Sequence, residues 1–201
     1  MARLREGNAR WAGGGARRPD ASTGYREELA GRQAPFAVVF GCIDSRVPPE
    51  LVFDQGLGDL LAVRTVAHTL DRLVCASLEY GPAELATSLL LVLGHQWCGA
   101  VTAAVQALRD GVPLPGHLAA VARDLRAPYR AVLERGTVRD GASDSPEQRA
   151  ALIEAVIREQ IRQTVDRLRA DELFAPALAA GRLAVCGGYY ALDTGAVALD
   201  A

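Results

Sequence analysis

The sequence predicts an α/β domain with a mainly parallel β-sheet flanked by α-helices, preceded by an N-terminal helical arm. Three apolar runs, at 37–41, 59–64 and 89–93, have the length and composition of buried strands. Segments with helical spacing separate them, and such alternation is typical of a parallel sheet. The 201 residues, half of them hydrophobic, are enough for one domain with a full core.

The first half of the chain alternates predicted helices and strands. An amphipathic segment at 4–11 predicts a short helix, and Gly13-Gly14-Gly15 predicts a flexible break after it. Apolar spacing predicts the remaining elements, which are a helix at 27–32, a strand at 37–41, a strand at 59–64, a helix at 72–80, a strand at 89–93 and a helix at 99–109.

The second half predicts longer helices and two closing strands. We expect a helix over 114–135, interrupted at Pro128 because proline lacks an N–H. A polar loop at 136–145 follows. Ser145 as N-cap and Pro146 in the first turn then predict a long helix to about Arg169.

The chain closes with strands predicted at 183–186 and 189–197. The turn between the last strands lies either at Gly187-Gly188 or at Asp193-Thr194-Gly195, because both contain residues that favour turns. The sequence leaves the two positions open.

Composition excludes several classes of partner. A net charge of −2 and a pI near 5.9 give no reason to expect nucleic acid. No run of apolar residues is long enough to span a membrane, and the residues after Met1 lack the apolar centre of a signal peptide. Four cysteines are too few for a disulfide scaffold. We therefore expect a cytoplasmic protein with reduced thiols and no membrane or nucleic-acid partner.

Two thiols and an imidazole follow the ends of predicted strands. Cys42 comes just after the first apolar run, and His95 and Cys98 come just after the third. The carboxyl ends of parallel strands meet at one edge of a sheet, so these side chains should converge. Two thiolates and one histidine are ligands that Zn²⁺ accepts while a fourth position stays open for water. An open zinc site indicates hydrolysis or hydration chemistry.

Other readings of the cysteines are weaker. A cysteine-based phosphatase needs five residues between the cysteine and its arginine, whereas Arg46 follows Cys42 by four positions. Asp44 inside that loop would also repel a phosphate. Cys75 and Cys186 lie within a predicted helix and strand, and we interpret them as small buried residues of the core.

Six motifs spread over nearly the whole chain occur together. They are Glu6-Gly7-Asn8-x-Arg10-Trp11, Gly41-Cys42-Ile43-Asp44-Ser45-Arg46, Gly58-Asp59-Leu60-Leu61-Ala62-Val63-Arg64, Ser77-Leu78-Glu79-Tyr80, Gly94-His95-Gln96-Trp97-Cys98-Gly99 and Tyr190-Ala191-Leu192-Asp193-Thr194-Gly195. A chain with these motifs resembles the β-class carbonic anhydrases. The resemblance implies a zinc lyase that reversibly hydrates carbon dioxide to bicarbonate and a proton, by attack of zinc-bound hydroxide on CO₂. Cys42, His95 and Cys98 would hold the zinc.

Asp44 and Arg46 are the catalytic candidates. A carboxylate beside the metal accepts a hydrogen bond that orients the attacking oxygen, and Arg46 would hold Asp44 in a charge-assisted pair. If released, Asp44 could fill the fourth zinc position, the closed arrangement of some relatives. The alternative is an ordinary structural ion pair. Two thiolates cancel the charge of the zinc, so we expect activity to rise at higher pH than in a three-histidine site.

The resemblance also implies a substrate pocket and an oligomer. Residues expected to line the pocket, some of them from a second subunit, are Gln33, Leu61, Val66, Tyr80 and Gly99. We expect a homodimer or a tetramer of a single domain spanning residues 1–201, with 1–34 as an arm that packs on a partner subunit. His68 is either a local proton carrier or a hydrogen-bonded loop histidine.

Two other functions share these motifs. A hydrolase of carbon disulfide or carbonyl sulfide would keep the same ligands. A non-enzymatic zinc or redox protein would have a closed Cys/His/Cys/Asp site, but Asp44 would then need no Arg46. Some relatives also carry an allosteric bicarbonate pocket with a Trp three residues before the first Cys. Val39 stands there, which argues against that pocket and leaves Arg64 a structural role.

Overall fold

A computed structural model describes residues 1–17, 19, 22–136, 138, 141 and 145–199. Its centre is a five-stranded sheet with the strand order β2-β1-β3-β4-β5. The strands are β1 (Ala37–Cys42), β2 (Leu60–Thr65), β3 (Leu89–His95), β4 (Ala184–Tyr190) and β5 (Val197–Leu199). The first four are mutually parallel, and β5 is antiparallel to β4. The predicted fold class is confirmed.

Helices cover both faces of the sheet. They are α1 (Ala2–Ala12), α2 (Thr23–Leu29), α3 (Pro49–Val52), α4 (Arg72–Glu84), α5 (Gly99–Asp110), α6 (Leu118–Asp124), α7 (Arg126–Glu134), α8 (Pro146–Arg169) and α9 (Ala175–Ala179), with a 3₁₀ turn at Val66–His68. In the part of the chain that the structure describes, no helix combines the length and apolarity needed to cross a bilayer.

The sheet separates two apolar cores. All six residues of β1 are buried, and successive side chains alternate between the faces. Val38 and Phe40 join the larger core, under α4 to α8. Ala37 and Val39 join the smaller core, under α1 and α3. The sheet is therefore rigid at its centre, where β1 and β3 end beside each other.

The closing strands differ from the prediction in one respect. Gly187-Gly188 is not a turn but lies inside β4, so the predicted strand at 189–197 is wrong. A side chain on Gly188 would come within 3.0 Å of Leu199 and 3.2 Å of Leu91, which explains why glycine stands there. The chain turns instead at 191–196, the alternative that contains Asp193-Thr194-Gly195.

The helix predicted over 114–135 is divided at another position. The break falls at Leu125, between α6 and α7, and α6 begins only at Leu118. Pro128 lies in the first turn of α7, where a missing N–H costs no hydrogen bond. The predicted loop at 136–145 lies mostly outside the described residues. Ser145 is the N-cap of α8, as predicted: its side chain accepts a hydrogen bond from the amide of Gln148. The Gln148 side chain accepts one from the amide of Ser145, which completes a capping box.

The first helix is anchored on its own domain. Leu4 is fully buried in the smaller core. The Asn8 side chain donates to the carbonyls of Val52 and Gly195 at 3.0 and 2.8 Å and accepts from the amide of Val197 at 2.7 Å. By contrast, α2 buries none of its side chains. Packing of the 1–34 arm on a partner stays a prediction.

Candidate metal centre

Three buried ligand atoms meet where β1 and β3 end. Cys42 is the last residue of β1, His95 is the last residue of β3, and Cys98 directly precedes α5. The two sulfur atoms lie 3.9 Å apart, and all three ligand atoms lie within 4.8 Å of one another. Each residue is at most 2% exposed. The convergence predicted from the strand ends is therefore present.

One ring nitrogen of His95 faces the two sulfur atoms, and the other forms a hydrogen bond with the main chain. Its Nδ1 lies 2.9 Å from the carbonyl oxygen of Gln96. A carbonyl only accepts, so Nδ1 carries the proton and Nε2 keeps its lone pair. Within the described residues, Nε2 is buried without a hydrogen-bond partner. The amide of Gln96 donates to the carbonyl of Tyr190 at 2.9 Å, which fixes the supporting peptide.

These donors fit a zinc ion. Two Zn–S bonds of about 2.3 Å at a tetrahedral angle put the sulfurs roughly 3.8 Å apart. The observed separation is 3.9 Å. A buried imidazole nitrogen without a partner costs free energy unless something binds it, and a metal does so. The geometry and the donor chemistry agree with the predicted ligand set.

The two thiols share a proton unequally. Either sulfur can donate to the other, and their contact lowers the pKa of Cys42 to about 4 despite burial and raises the pKa of Cys98. The amides of Asp44 and Ala67 also face the Cys42 sulfur. Ala67 reaches this position with a left-handed backbone, at φ 53°. The site thus favours thiolate at Cys42.

Asp44 and Arg46 form a pair beside the ligands. The guanidinium of Arg46 donates from Nε to Oδ1 of Asp44 at 2.9 Å and from Nη2 to Oδ2 at 2.7 Å. These bonds lower the pKa of Asp44 to about 2. Asp44 Oδ2 lies 4.0 Å from Nε2 of His95. A nitrogen and an oxygen bound to the same tetrahedral zinc would be closer, at roughly 3.4 Å. The carboxylate is therefore paired with arginine and adjoins the ligand set.

A family comparison decides the identity. The residues at 37–197, which include all three ligands, match the family model described as carbonic anhydrase. The chain belongs to the carbonic anhydrase family. Carbonic anhydrase 2 of Mycobacterium tuberculosis is 42% identical over 199 residues, covering 98% of this chain and 89% of that protein. The carbonic anhydrase of Mycolicibacterium smegmatis is 40% identical with the same coverage.

A solved structure of the β class has the same fold. It comes from a study of two tetrameric β-carbonic anhydrases of the ascomycete Sordaria macrospora, with a TM-score of 0.76 and 25% identity. The match covers 96% of this chain and 93% of that one. The resemblance to β-carbonic anhydrases is confirmed, and with it the assignment of the chain to a family of lyases that hydrate carbon dioxide.

Two of the predicted pocket residues lie at the edge of the sheet that carries the three candidate ligands. Val66 follows the end of β2, and Gly99 follows Cys98 at the start of α5. A side chain on Gly99 would meet no atom within 4 Å, so the space above it is open.

The structure places the other predicted pocket residues on other elements of the chain. Leu61 pairs with Val38, four residues before Cys42, which places it about 13 Å back along the sheet. Tyr80 is half-exposed on α4, and Gln33 is exposed between α2 and β1.

His68 contradicts both of its predicted roles. It is 1% exposed, and among the described residues neither ring nitrogen has a hydrogen-bond partner, so it is not a hydrogen-bonded loop histidine. Burial lowers its pKa to about 4, which removes it as a proton carrier near neutral pH. Its ring packs edge-on against Phe40, with centroids 6.2 Å apart.

Sequence reasoning left Arg64 a structural role but did not indicate its contact with the site. Arg64 donates to the carbonyls of Cys42 and Asp44 at 2.8 and 2.5 Å. Its position at the end of β2 was visible in the sequence, but the reach of its side chain across to the end of β1 was not.

Proposed function

We propose that this chain binds one Zn²⁺ through Cys42, His95 and Cys98 and catalyses the reversible hydration of carbon dioxide to bicarbonate and a proton. The observation that carries the proposal is the unpartnered Nε2 of His95, aimed at two thiols beside the Asp44 carboxylate. A zinc ion held there supplies a Lewis acid that lowers the pKa of bound water.

Asp44 would accept a hydrogen bond at the reacting oxygen and orient it toward carbon. Its depressed pKa keeps it ionised throughout the neutral range, so it acts as a fixed acceptor. Arg46 occupies both carboxylate oxygens and keeps the group from becoming a fourth ligand. In the proposed closed state, Asp44 leaves Arg46 and binds the metal. The observed pairing argues against a permanently closed zinc or redox protein.

We further propose that the active site is completed across a homodimer, alone or within a tetramer. Within one chain Val66 and Gly99 adjoin the ligands, so Gln33, Leu61 and Tyr80 would come from the second subunit. Two exposed apolar residues support such a contact, because Ile43 and Trp97 flank the ligands and are 60% and 59% exposed. The 1–34 arm would lie on the partner through α2, which buries nothing on its own chain.

Light scattering tests the assembly. We expect a dimer or tetramer at working concentration, and a monomer that hydrates carbon dioxide at full rate would contradict a shared site. We propose a cytoplasmic location, where the free cysteines of the ligand set stay reduced. Neither nucleic acid nor membrane enters the proposed function.

Stopped-flow hydration of carbon dioxide, followed with a pH indicator, tests the activity. We expect the purified zinc protein to be active and the chelated protein to be inactive until zinc is restored. Carbonyl sulfide and carbon disulfide should be assayed in parallel, since the ligands do not exclude them. A fully zinc-loaded protein that hydrolyses either analogue but does not hydrate carbon dioxide would overturn the proposal.

A further inference from the structure

Arg64 links the main chain of a predicted metal ligand to that of the predicted catalytic carboxylate. It lies on β2 opposite Gly41, and its side chain extends past the end of β1. Its Nε donates to the carbonyl of Cys42 at 2.8 Å, and its Nη2 donates to the carbonyl of Asp44 at 2.5 Å. One guanidinium therefore spans the two residues on either side of Ile43.

These bonds extend the sheet by two residues. The β1–β2 ladder ends where Cys42 pairs with Thr65. One residue further, the amide of Ile43 donates to the carbonyl of Thr65 at 2.9 Å. The next main-chain link to β2 is the hydrogen bond from Arg64 Nη2 to the carbonyl of Asp44, which a side chain and not the β-ladder provides. The main chain of Asp44 is thereby tied to the rigid part of the domain.

We propose that Arg64 is a positioning residue that holds Asp44 where Arg46 can bind both of its carboxylate oxygens. The proposal rests on the proposed function, because it assigns the effect of Arg64 to carbon dioxide hydration by the Asp44–Arg46 pair. The carboxylate lies 4.0 Å from Nε2 of His95, so a small main-chain shift changes which partner it meets. A misplacement of about 1 Å can cost roughly 100-fold in rate.

The shape of arginine suits this task. Its planar guanidinium offers donors in a fixed fork, so one side chain binds two carbonyls at a set separation. A lysine at position 64 would keep the positive charge but not the planar fork that reaches two carbonyls. A methionine would keep neither the charge nor the hydrogen-bond donors. The two substitutions therefore separate charge from two-point attachment.

The test compares Arg64→Met and Arg64→Lys with Arg169→Met as a matched control. Arg169, the last residue of α8, also binds a strand carbonyl through two donors. Its Nε and Nη2 donate to the carbonyl of Val185 at 3.0 and 2.6 Å, near the start of β4. Each zinc-loaded enzyme is assayed for metal content, kcat and KM. Amide exchange of the 43–47 segment and the visible spectrum of the Co²⁺-substituted protein are measured at one pH.

We expect Arg64→Met to keep stoichiometric zinc and to lose about 100-fold in kcat with little change in KM. Amide exchange in 43–47 should accelerate, and the Co²⁺ spectrum of Arg64→Met should differ from that of wild type. The double variant Arg64→Met/Asp44→Asn should not show this spectral change. Arg64→Lys should recover part of each effect. Arg169→Met should leave all of these readouts at the wild-type level.

Three results would overturn the proposal. They are unchanged kcat and exchange in Arg64→Met, an equal loss in Arg169→Met, and loss of zinc from Arg64→Met, which would mean that Arg64 supports the ligands and not Asp44. If the wild-type protein does not hydrate carbon dioxide, the proposed function fails separately. The exchange and spectral readouts then still decide whether Arg64 positions Asp44.

Discussion

Both carboxylate oxygens of Asp44 are bound by the guanidinium of Arg46, only two residues along the chain. The Arg46 amide also donates to Oδ1 at 2.9 Å, so three bonds fix the carboxylate. The pair closes a tight local loop directly beside His95, where 4.0 Å separates the carboxylate from Nε2. In the proposed zinc enzyme, release of this ion pair would let the carboxylate bind the metal.

Loss of the arginine should therefore abolish activity without loss of metal. In Arg46→Gln, Asp44 loses its charged partner and can take the fourth zinc position, so we expect hydration to fall at least about 100-fold. Zinc content measured by atomic absorption should remain one per chain. Arg3→Gln breaks the exposed pair with Asp59 and serves as control. Full activity of Arg46→Gln would refute the role of the pair.

Zinc should depend on the two cysteines at the strand ends and on no other cysteine. Cys42→Ser and Cys98→Ser each remove one thiolate, so we expect metal content to fall well below one per chain. Cys75→Ser is the control, because Cys75 lies on α4, outside the ligand group. Stoichiometric zinc in both ligand variants, measured on freshly purified protein, would show that the metal is bound elsewhere.

The sequence predicted the sheet well where strands are apolar on both faces. The runs at 37–41 and 89–93 became β1 and β3, since buried parallel strands read as continuous apolar segments. Glycine was the source of the error at β4. Gly187-Gly188 resembles a turn locally, but the pair lies inside a strand because Gly188 leaves room for Leu199 of β5. That reason depends on a contact between strands, which local sequence does not contain.

The ligand set was predictable because strand order alone brings Cys42, His95 and Cys98 to one edge. The surroundings were not. Arg64 reaches the end of β1 through the length of its side chain, and His68 is buried with a left-handed backbone at φ 42°. Neither property has a signature in a single sequence. We propose that a second subunit completes the pocket, and the sequence of one chain indicates this only by resemblance.

Gly94, next to the candidate ligand His95, has no free space for a side chain. An added Cβ would lie 2.5 Å from Cδ1 and 2.6 Å from Cγ1 of Ile161 on α8. We expect Gly94→Ala to lower the free energy of unfolding by about 1–3 kcal/mol, because the core is overpacked. Ile161→Ala alone leaves a cavity and should also destabilise the protein.

The double variant Gly94→Ala/Ile161→Ala should be less destabilised than the sum of the two single changes. The new methyl group fills space that the isoleucine vacates, which makes the coupling favourable. Denaturant unfolding of the four proteins gives the coupling free energy. Strict additivity would mean that the strand moves to accommodate the methyl group and that the contact with Ile161 is not limiting.

His68 should weaken the fold in acid. Burial disfavours its charged form, which lowers the pKa from its usual 6.5 to about 4. Between these values the unfolded chain binds more protons than the native one, so the free energy of unfolding falls as pH drops from about 6.5 to 4. His68→Leu removes this dependence. Wild type should therefore lose about 3 kcal/mol more than the variant between pH 7 and pH 4.

The matched control is His117→Leu, which changes an exposed histidine and should leave the acid dependence as in wild type. The measured quantity is the difference between each variant and wild type, so contributions common to all three proteins cancel. His68→Leu should also leave the pH profile of hydration unchanged, because an imidazole that stays neutral throughout the assay range takes up no further proton. A pH profile of hydration that shifts in His68→Leu would show that the histidine carries protons after all. If the free energy of unfolding falls equally with pH in wild type and His68→Leu, burial does not exclude the charged form of His68.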